Sequence, residues 1–233
     1  MPRISLLIFL LGTCFSLPIQ AQVKIGMGAG YHYVQADPIA YAIHHFNLVH
    51  THSPHSSLNH GIHIDADFSI HLKGSFFINT TMIYRRTRSG TNSFIYDWNT
   101  LISQYDLLLE TAIYPFLDAR KYLGSPFRHF FILPQLGLSY LEIVPEQDNR
   151  QIIFKGDPYN PAIFLPALGI GIGQDIRIVG QMSLGPFLRF SYFPPFQIEN
   201  LTGMYAQTQL VAEDLRGSMW DAQAGIYLRF HGR

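Results

Sequence analysis

Ser69 and His71 lie two residues apart in the chain, and Asp67 precedes the serine by two residues. A hydroxyl nucleophile, an imidazole base and a carboxylate could together catalyse acyl transfer, provided that they lie within hydrogen-bond reach of one another. Side chains two apart on a β-strand share a face but are separated by about 7 Å along the strand. This spacing does not assure a contact between nucleophile and base, and we predict no catalytic residues and no enzymatic activity.

Histidine is concentrated between His32 and His63, a segment that holds eight of the eleven histidines. Imidazole is the commonest metal ligand in proteins, and histidine-rich tracts can bind zinc, copper, nickel or haem. The candidate ligands are His44, His45, His50, His52 and His55. Because the tract has no fixed metal-site spacing and no cysteine completes a site, we favour a polar surface loop and predict no cofactor. A metal or haem site is the alternative.

The first 21 residues have the three parts of a secretory signal peptide: a charge at Arg3, an apolar stretch over Ile4–Leu11 and small residues up to Ala21. The apolar stretch is too short for a membrane-spanning helix. Cleavage after Ala21 leaves one mature domain, residues 22–233, without cysteine, which excludes disulfides and thiolate chemistry. The alternative is a lipoprotein signal that is cleaved before Cys14.

The composition excludes other classes of function. The formal net charge is zero and Lys and Arg are dispersed along the chain, so we expect no nucleic-acid partner. Hydrophobic residues make up 48% of the chain and charged residues only 14%, which is lean in charge for a soluble protein. No stretch of 18 apolar residues follows the signal, so the apolar surface must be distributed across strands.

The elements that position these residues are strands. From Ile62 to Leu72 every even position is apolar and every odd position is polar or charged. A period of two indicates a β-strand whose two faces meet different environments. Similar segments recur, and we predict eight strands at Gln22–Val34, His60–Leu72, Ser75–Arg86, Ser103–Phe116, Phe127–Ile143, Ala162–Asp175, Val179–Phe193 and Met219–Phe230. All are long enough to cross a bilayer, which needs about 9–11 tilted residues.

The predicted connections alternate between short turns and long loops. The short turns are Lys73–Gly74, Asp118–Pro126 and Ile176–Ile178, and the long loops are Gln35–Asn59, Thr87–Ile102, Val144–Pro161 and Pro194–Ser218. This alternation is typical of an all-β, antiparallel, up-and-down transmembrane β-barrel of the outer membrane. The short turns and both termini are then expected in the periplasm, and the long loops outside the cell.

Glycine shares a face with the charged residues, as in the first strand, where Lys24, Gly26, Gly28 and Gly30 alternate with apolar residues. On the water-facing side of a soluble lipocalin-type barrel, repeated glycine would only weaken the strands. Inside a narrow membrane barrel, small residues relieve crowding, so we favour the membrane barrel. Aromatic residues on the apolar face form the expected girdle at the outer membrane boundary: Tyr31 or Tyr33, Tyr84, Tyr105, Tyr140, Phe164, Tyr192 and Trp220.

The inner face collects four positive and five negative side chains. They are Lys24, Arg85, Arg189 and Arg229, with Asp65, Asp67, Asp106, Glu110 and Asp221. Buried charges must be paired, because their desolvation is otherwise prohibitive. We therefore predict a salt-bridge network that fills the lumen, since eight strands leave an interior just wide enough for side chains. The alternative is a conducting or proton-relaying lumen.

Three prolines conflict with continuous strands: Pro134, Pro166 and Pro186. A closed barrel needs its backbone N–H groups paired, and proline has none to donate. We expect bulges or strand ends at these positions.

Three segments together resemble the PorT-like outer-membrane β-barrel family: Gln22–Gly30 after the signal, Leu107–Pro115 and the closing Gly225–Phe230. The resemblance implies a small eight-stranded barrel and a membrane, and for most members no known activity. The expected function is a non-enzymatic structural or binding role through the long extracellular loops, with outer-membrane lipid and a protein or small ligand as partners. An accessory role in envelope assembly or secretion and a lipid A-modifying barrel enzyme are the alternatives.

Overall fold

The computed structural model describes most of the predicted mature domain. The described residues are 23–49, 60–90, 98–117, 119, 125, 129–147, 150–151, 153–154, 157–158, 162–198 and 215–232. The predicted signal peptide and Cys14 lie outside these residues, so cleavage stays a prediction.

Eight long strands form the wall of the molecule. They are β1 (Val23–Ala36), β2 (His60–Lys73), β3 (Phe76–Gly90), β4 (Trp98–Ile113), β5 (Phe130–Gln147), β6 (Ala162–Gln174), β7 (Met182–Ile198) and β8 (Leu215–His231). Each strand pairs antiparallel with its neighbours in sequence, and β8 pairs with β1 to close the ring. The prediction of an eight-stranded, antiparallel, up-and-down β-barrel is confirmed. Two-residue strands at Arg150–Gln151, Ile153–Phe154 and Asp157–Pro158 lie between β5 and β6.

The barrel has a loop end, reached by the last residues of β1, β3, β5 and β7, and an opposite turn end. At the loop end several strands are longer than predicted: β3, β5 and β7 end at Gly90, Gln147 and Ile198 instead of Arg86, Ile143 and Phe193, and β4 and β8 begin at Trp98 and Leu215 instead of Ser103 and Met219. The polarity of the two faces inverts there. Arg86 and Arg88 are exposed on the outer face, whereas Ile143 is buried on the inner face. The alternation of apolar outer and polar inner residues, from which the strands were predicted, therefore ends before the strands themselves end.

A helix, α1 (Asp37–Val49), follows β1 without a gap. The sequence prediction placed these residues in a loop over Gln35–Asn59, and this part of the prediction was wrong. Pro38 is pre-organised for the first turn of a helix. Ile39 and Ile43, one turn apart, are both buried and form the side of the helix that packs on the barrel. Among the described residues, no helix has the length and apolar character needed to span a membrane.

Two tight turns connect strands at the turn end. Gly74 (φ 57°) and Gly180 (φ 54°) adopt positive φ, which glycine accepts without steric cost. The turn at Gly74 was predicted. The second turn lies at Gly180 and not at Ile176–Ile178, because Ile176–Val179 forms a strand that pairs with β7. The predicted connection Asp118–Pro126 lies almost entirely outside the described residues.

The three strand prolines all lie on the exposed outer face, at interruptions of a ladder: Pro134, Pro166 and Pro186. The first lies where the β4–β5 register is broken. The other two lie just beyond the two ends of the β6–β7 ladder, which runs from the Leu168–Tyr192 pair to the Gly173–Phe187 pair. Each proline thus lies where the ladder to one neighbouring strand is interrupted. This is expected, because proline has no backbone N–H to donate to a ladder.

The assignment of the two faces is tested by a pair of neighbouring substitutions. A β-carbon at Gly28 would meet the Asp65 carboxylate inside the barrel, whereas Ala29 is exposed on the outer face. We expect Gly28→Val to lower the free energy of unfolding by about 2 kcal/mol or more through overpacking. Ala29→Val should change it by less than about 0.5 kcal/mol. Equilibrium unfolding in urea with lipid vesicles measures both, and equal effects would contradict the assignment.

Candidate functional site

The lumen holds all nine charged side chains that the sequence assigns to the inner face. Each is buried, with at most 8% of its surface exposed: Lys24, Asp65, Asp67, Arg85, Asp106, Glu110, Arg189, Asp221 and Arg229. The structure adds a carboxylate, Asp175, which the prediction placed at the end of a strand without assigning it to the lumen. Asp175 has the same parity as Gly171 and Gly173 in β6, so the alternation could have identified it. The described lumen thus holds six carboxylates and four cations.

Arg85 lies inside the lumen, in the part nearer the loop end. Its guanidinium forms ion pairs with Asp106 and Asp221 and thereby connects β3 to β4 and β8. Gln104 supports this group, because its amide donates hydrogen bonds to Asp106 at 3.0 Å and to Ser139 at 2.9 Å. One guanidinium is therefore balanced by two carboxylates.

Arg189 spans the middle of the lumen. Its guanidinium lies 3.5 Å from Asp65 and 3.3 Å from Glu110, so that one side chain of β7 contacts β2 and β4 across the barrel. Glu110 accepts two further hydrogen bonds, from Thr81 at 2.7 Å and from Gln135 at 2.9 Å. The interior is thus cross-linked through side chains as well as through the wall.

Asp175 is the centre of a third group, at the turn end. Its carboxylate accepts hydrogen bonds from Tyr114 at 2.6 Å and from Tyr227 at 2.7 Å. It also pairs with Lys24 and Arg229, each at 3.4 Å. Four side chains from two strands and one turn therefore converge on one carboxylate.

The surroundings of Asp175 hold its carboxyl group in the ionised form. The residue lies between β6 and the following strand, where pairing with β7 resumes at Ile176. Its carboxylate faces the Lys24 and Arg229 charges and accepts hydrogen bonds from Tyr114 and Tyr227, and opposite charges and donors of this kind favour the ionised form of a buried carboxyl group. The ionised carboxylate thus stabilises the folded barrel.

Apolar side chains close the lumen on both sides of the charged layers, which the sequence analysis missed. The cluster at the loop end includes Val34, Ile39, Ile102, Leu141, Phe193 and Met219. The cluster at the turn end includes Phe77, Tyr114, Phe131, Phe187 and Tyr227. A cavity of about 340 Å³ remains at the loop end beneath α1. Within the described residues, paired charges and two apolar clusters therefore occupy the interior, and a cavity lies beside the loop-end cluster.

The candidate catalytic residues are not brought together. The Ser69 hydroxyl donates a hydrogen bond to Asp67 at 3.3 Å. His71 donates its ring Nε2–H to the carbonyl of Gly74 at 2.9 Å and packs on Phe77. The imidazole thus supports the turn and makes no hydrogen bond to the hydroxyl.

The histidine-rich segment is divided by the structure. His44 is exposed on α1, and the side chain of His45 lies outside the described part, as do His50, His52 and His55. Among the described residues, no group of three or more metal-ligating side chains converges. The buried histidines lie elsewhere, in β1 and β2: His32 shares a 2.7 Å hydrogen bond with Thr87, and its ring lies 6.3 Å from that of His63.

The aromatic residues of the expected girdle lie on the outer face and contact one another around the barrel. Ring centroids are 4.9 Å apart for Tyr84–Tyr105, 5.0 Å for Tyr140–Phe164 and 5.3 Å for Tyr33–Trp220. We call this set the aromatic belt. It lies just below the level at which the two faces of the strands invert their polarity, the position that amphipathic rings favour at a membrane boundary.

These features define a closed β-barrel with an apolar outer surface and an ion-paired interior. The chain is similar to a major outer membrane protein from Thermus thermophilus, with 9% identity over 92% of this chain and 100% of that chain and a TM-score of 0.50.

Two other solved structures show lower TM-scores. They are OprG from Pseudomonas aeruginosa, with 11% identity over 91% and 98% of the two chains (TM-score 0.44), and Ail, the attachment invasion locus protein of Yersinia pestis, with 8% identity over 91% and 100% (TM-score 0.45). No protein-family model and no curated protein sequence matches the chain. At these identities the likeness concerns the fold alone.

Asp175→Asn tests the turn-end group. Loss of the buried charge leaves Lys24 and Arg229 with less compensation, and we expect the free energy of unfolding to fall by about 3 kcal/mol. Asp37→Asn is the matched control, because Asp37 is exposed and asparagine keeps an oxygen that can accept the 3.0 Å hydrogen bond from Ser218, so that little change is expected.

The same variant tests the pH dependence. Because the Asp175 carboxylate is ion-paired only in the folded barrel, its contribution is complete above the unfolded pKa of about 4 and is lost as the carboxyl group is protonated at lower pH. Urea unfolding between about pH 3 and pH 7 should therefore show a steeper acid loss for the wild type than for Asp175→Asn. Identical slopes would contradict the assigned role.

Proposed function

We propose that the protein is a non-enzymatic outer-membrane β-barrel with a filled lumen, which acts through the extracellular surface of its loop end in a structural or binding role. The observation that carries this proposal is the combination of an apolar outer wall with an interior that is closed by paired charges and two apolar clusters. A wall of this kind suits lipid, and an interior of this kind leaves no continuous path for solutes.

The outer surface supports a position in lipid. Leu107, Leu109, Leu136 and Leu138 form a patch in the middle of β4 and β5, with 49–58% of each side chain exposed. A contiguous apolar surface of this extent is unusual for a soluble monomer and marks contact with a membrane or a partner. The tight turns and the long connections lie at opposite ends of the barrel. In outer-membrane barrels the short turns face the periplasm, which favours an orientation with both termini in the periplasm.

The absence of enzymatic activity is proposed from the site itself. Ser69 and His71 direct their hydrogen bonds away from each other, and the lumen carboxylates are engaged by cations and amides. A nucleophile needs a base within hydrogen-bond reach, and Ser69 and His71 do not form such a pair. Two other hydroxyl–imidazole pairs lie within that reach, Thr87–His32 at 2.7 Å and Ser183–His231 at 2.8 Å. Among the described residues, the Nδ1 of His32 has no hydrogen-bond partner that would orient the ring as a base.

Membership of the PorT-like family is also proposed. The eight-stranded topology supports it, as does the placement of two resembling segments, because Ile25–Gly30 of the first pairs with Gly225–Phe230 along β1 and β8, where the ring closes. The family resemblance adds no activity to the proposed function.

Fractionation of cells tests the location and the closed barrel together. The protein should sediment with the outer membrane, and its migration on a gel should change when the detergent-solubilised sample is boiled, because a closed barrel resists unfolding by the detergent alone. A soluble periplasmic protein with unchanged migration would contradict the proposal and would mean that the two faces are inverted.

Conductance measurements test the filled lumen. We expect purified protein in planar lipid bilayers to give no stable channels, because ion pairs and apolar clusters occupy the lumen at three levels. A general porin from the same preparation of lipid serves as the positive control. Large and stable channels would show that the lumen conducts and would contradict the filled lumen of the proposed function.

A further inference from the structure

The cavity at the loop end has the features of a small-molecule site. Its volume of about 340 Å³ lies within the range of known ligand pockets, about 300–1,000 Å³. It lies between α1 and the inner faces of β1, β3, β4 and β8. The apolar part of its lining is buried and includes Val34, Ile39, Ile43, Ile102 and Met219. The polar lining residues are Gln35, His44, Asn47, Arg85, Thr87 and Gln104.

The floor of the cavity provides a buried hydrogen-bond donor. Arg85 lines the cavity and is only 1% exposed. Its two terminal nitrogens form ion pairs with Asp106 and Asp221, neither of which lines the cavity. Its Nε–H has no acceptor among the described residues. A buried donor of this kind favours a ligand that brings an acceptor to it.

The charges around the floor determine what that acceptor can be. Arg85 is already balanced by two carboxylates, so an anionic ligand would add a third negative charge to a buried cluster. A cationic ligand would meet the Arg85 guanidinium first, because neither Asp106 nor Asp221 lines the cavity. An uncharged oxygen avoids both costs and can still accept a hydrogen bond.

We propose that this cavity binds an uncharged small molecule with an apolar body and one hydroxyl or carbonyl oxygen directed at Arg85. The apolar body contacts the walls beneath α1, and the oxygen accepts the Nε–H of Arg85. This proposal rests on the proposed function, because it assigns a ligand to the loop end of a barrel that does not conduct.

Four probes with the same trifluoromethylphenyl body separate the contribution of the polar group. They are 4-(trifluoromethyl)benzyl alcohol, 4-(trifluoromethyl)benzoate, 4-(trifluoromethyl)benzylammonium and 4-(trifluoromethyl)toluene. Binding to the full mature protein in lipid nanodiscs is measured by ¹⁹F NMR, with empty nanodiscs to subtract partitioning into lipid. The alcohol should bind at least about tenfold more tightly than each of the other three, since about 1.4 kcal/mol corresponds to a factor of ten.

Two adjacent helix positions provide the matched variants. Ala40 is exposed and lines the cavity, so Ala40→Trp should fill the cavity and abolish binding of the alcohol. Tyr41 is 48% exposed and does not line the cavity, so Tyr41→Trp should bind like the wild type. Both positions are exposed on α1, and neither substitution removes a lumen ion pair.

The proposal is overturned if the charged probes or the toluene bind as tightly as the alcohol, or if Ala40→Trp binds like the wild type. It is also overturned if no probe binds beyond the empty nanodiscs. Heat-modifiable migration and conductance of the same samples are measured in parallel. A normal barrel without binding would refute the site and leave the proposed function intact.

Discussion

The structure depends on the pairing of buried charges within a narrow lumen. A carboxylate or guanidinium that loses its partner in a low-dielectric interior costs several kcal/mol, so each group restricts the positions of the others. Arg85 connects β3 to β4 and β8, and Arg189 connects β7 to β2 and β4. The network therefore couples strands that share no ladder and favours a single register around the ring.

This constraint also explains where small residues stand. In β1, Gly26 and Gly28 occupy the inner face directly beside Asp67 and Asp65, and a β-carbon at either position would displace a carboxylate. Glycine normally weakens a strand, yet here it provides the space in which the ion pairs form. The cost in strand stability is thus offset by the interactions that the space permits.

The alternation of the sequence predicts the strands wherever the inside is polar and the outside is apolar. The nine lumen charges and the aromatic belt were placed from this pattern, since a period of two assigns every residue to a face. Above the belt the outside meets water and the inside becomes apolar, as Arg88 and Ile143 show, so the pattern inverts and the strand ends were predicted too early.

Other features depend on tertiary contacts that periodicity does not report. Helix α1 is stabilised by burial of Ile39 and Ile43 against the barrel, in a segment rich in histidine that resembles a loop. The role of Asp175 depends on Tyr114 and Tyr227, which approach it only in the closed ring. The cavity beneath α1 likewise exists only once the helix is placed.

Spin labels along the wall test the central claim, that lipid covers the outer face up to the aromatic belt. The chain has one cysteine, in the predicted signal peptide, so single cysteines can be introduced at Ile64, Ala66 and Arg88 for labelling in lipid vesicles. Labels at Ile64 and Ala66 should be accessible to oxygen and protected from a water-soluble nickel complex, and the label at Arg88 should show the reverse. Access of the nickel complex to Ile64 and Ala66 would contradict the account.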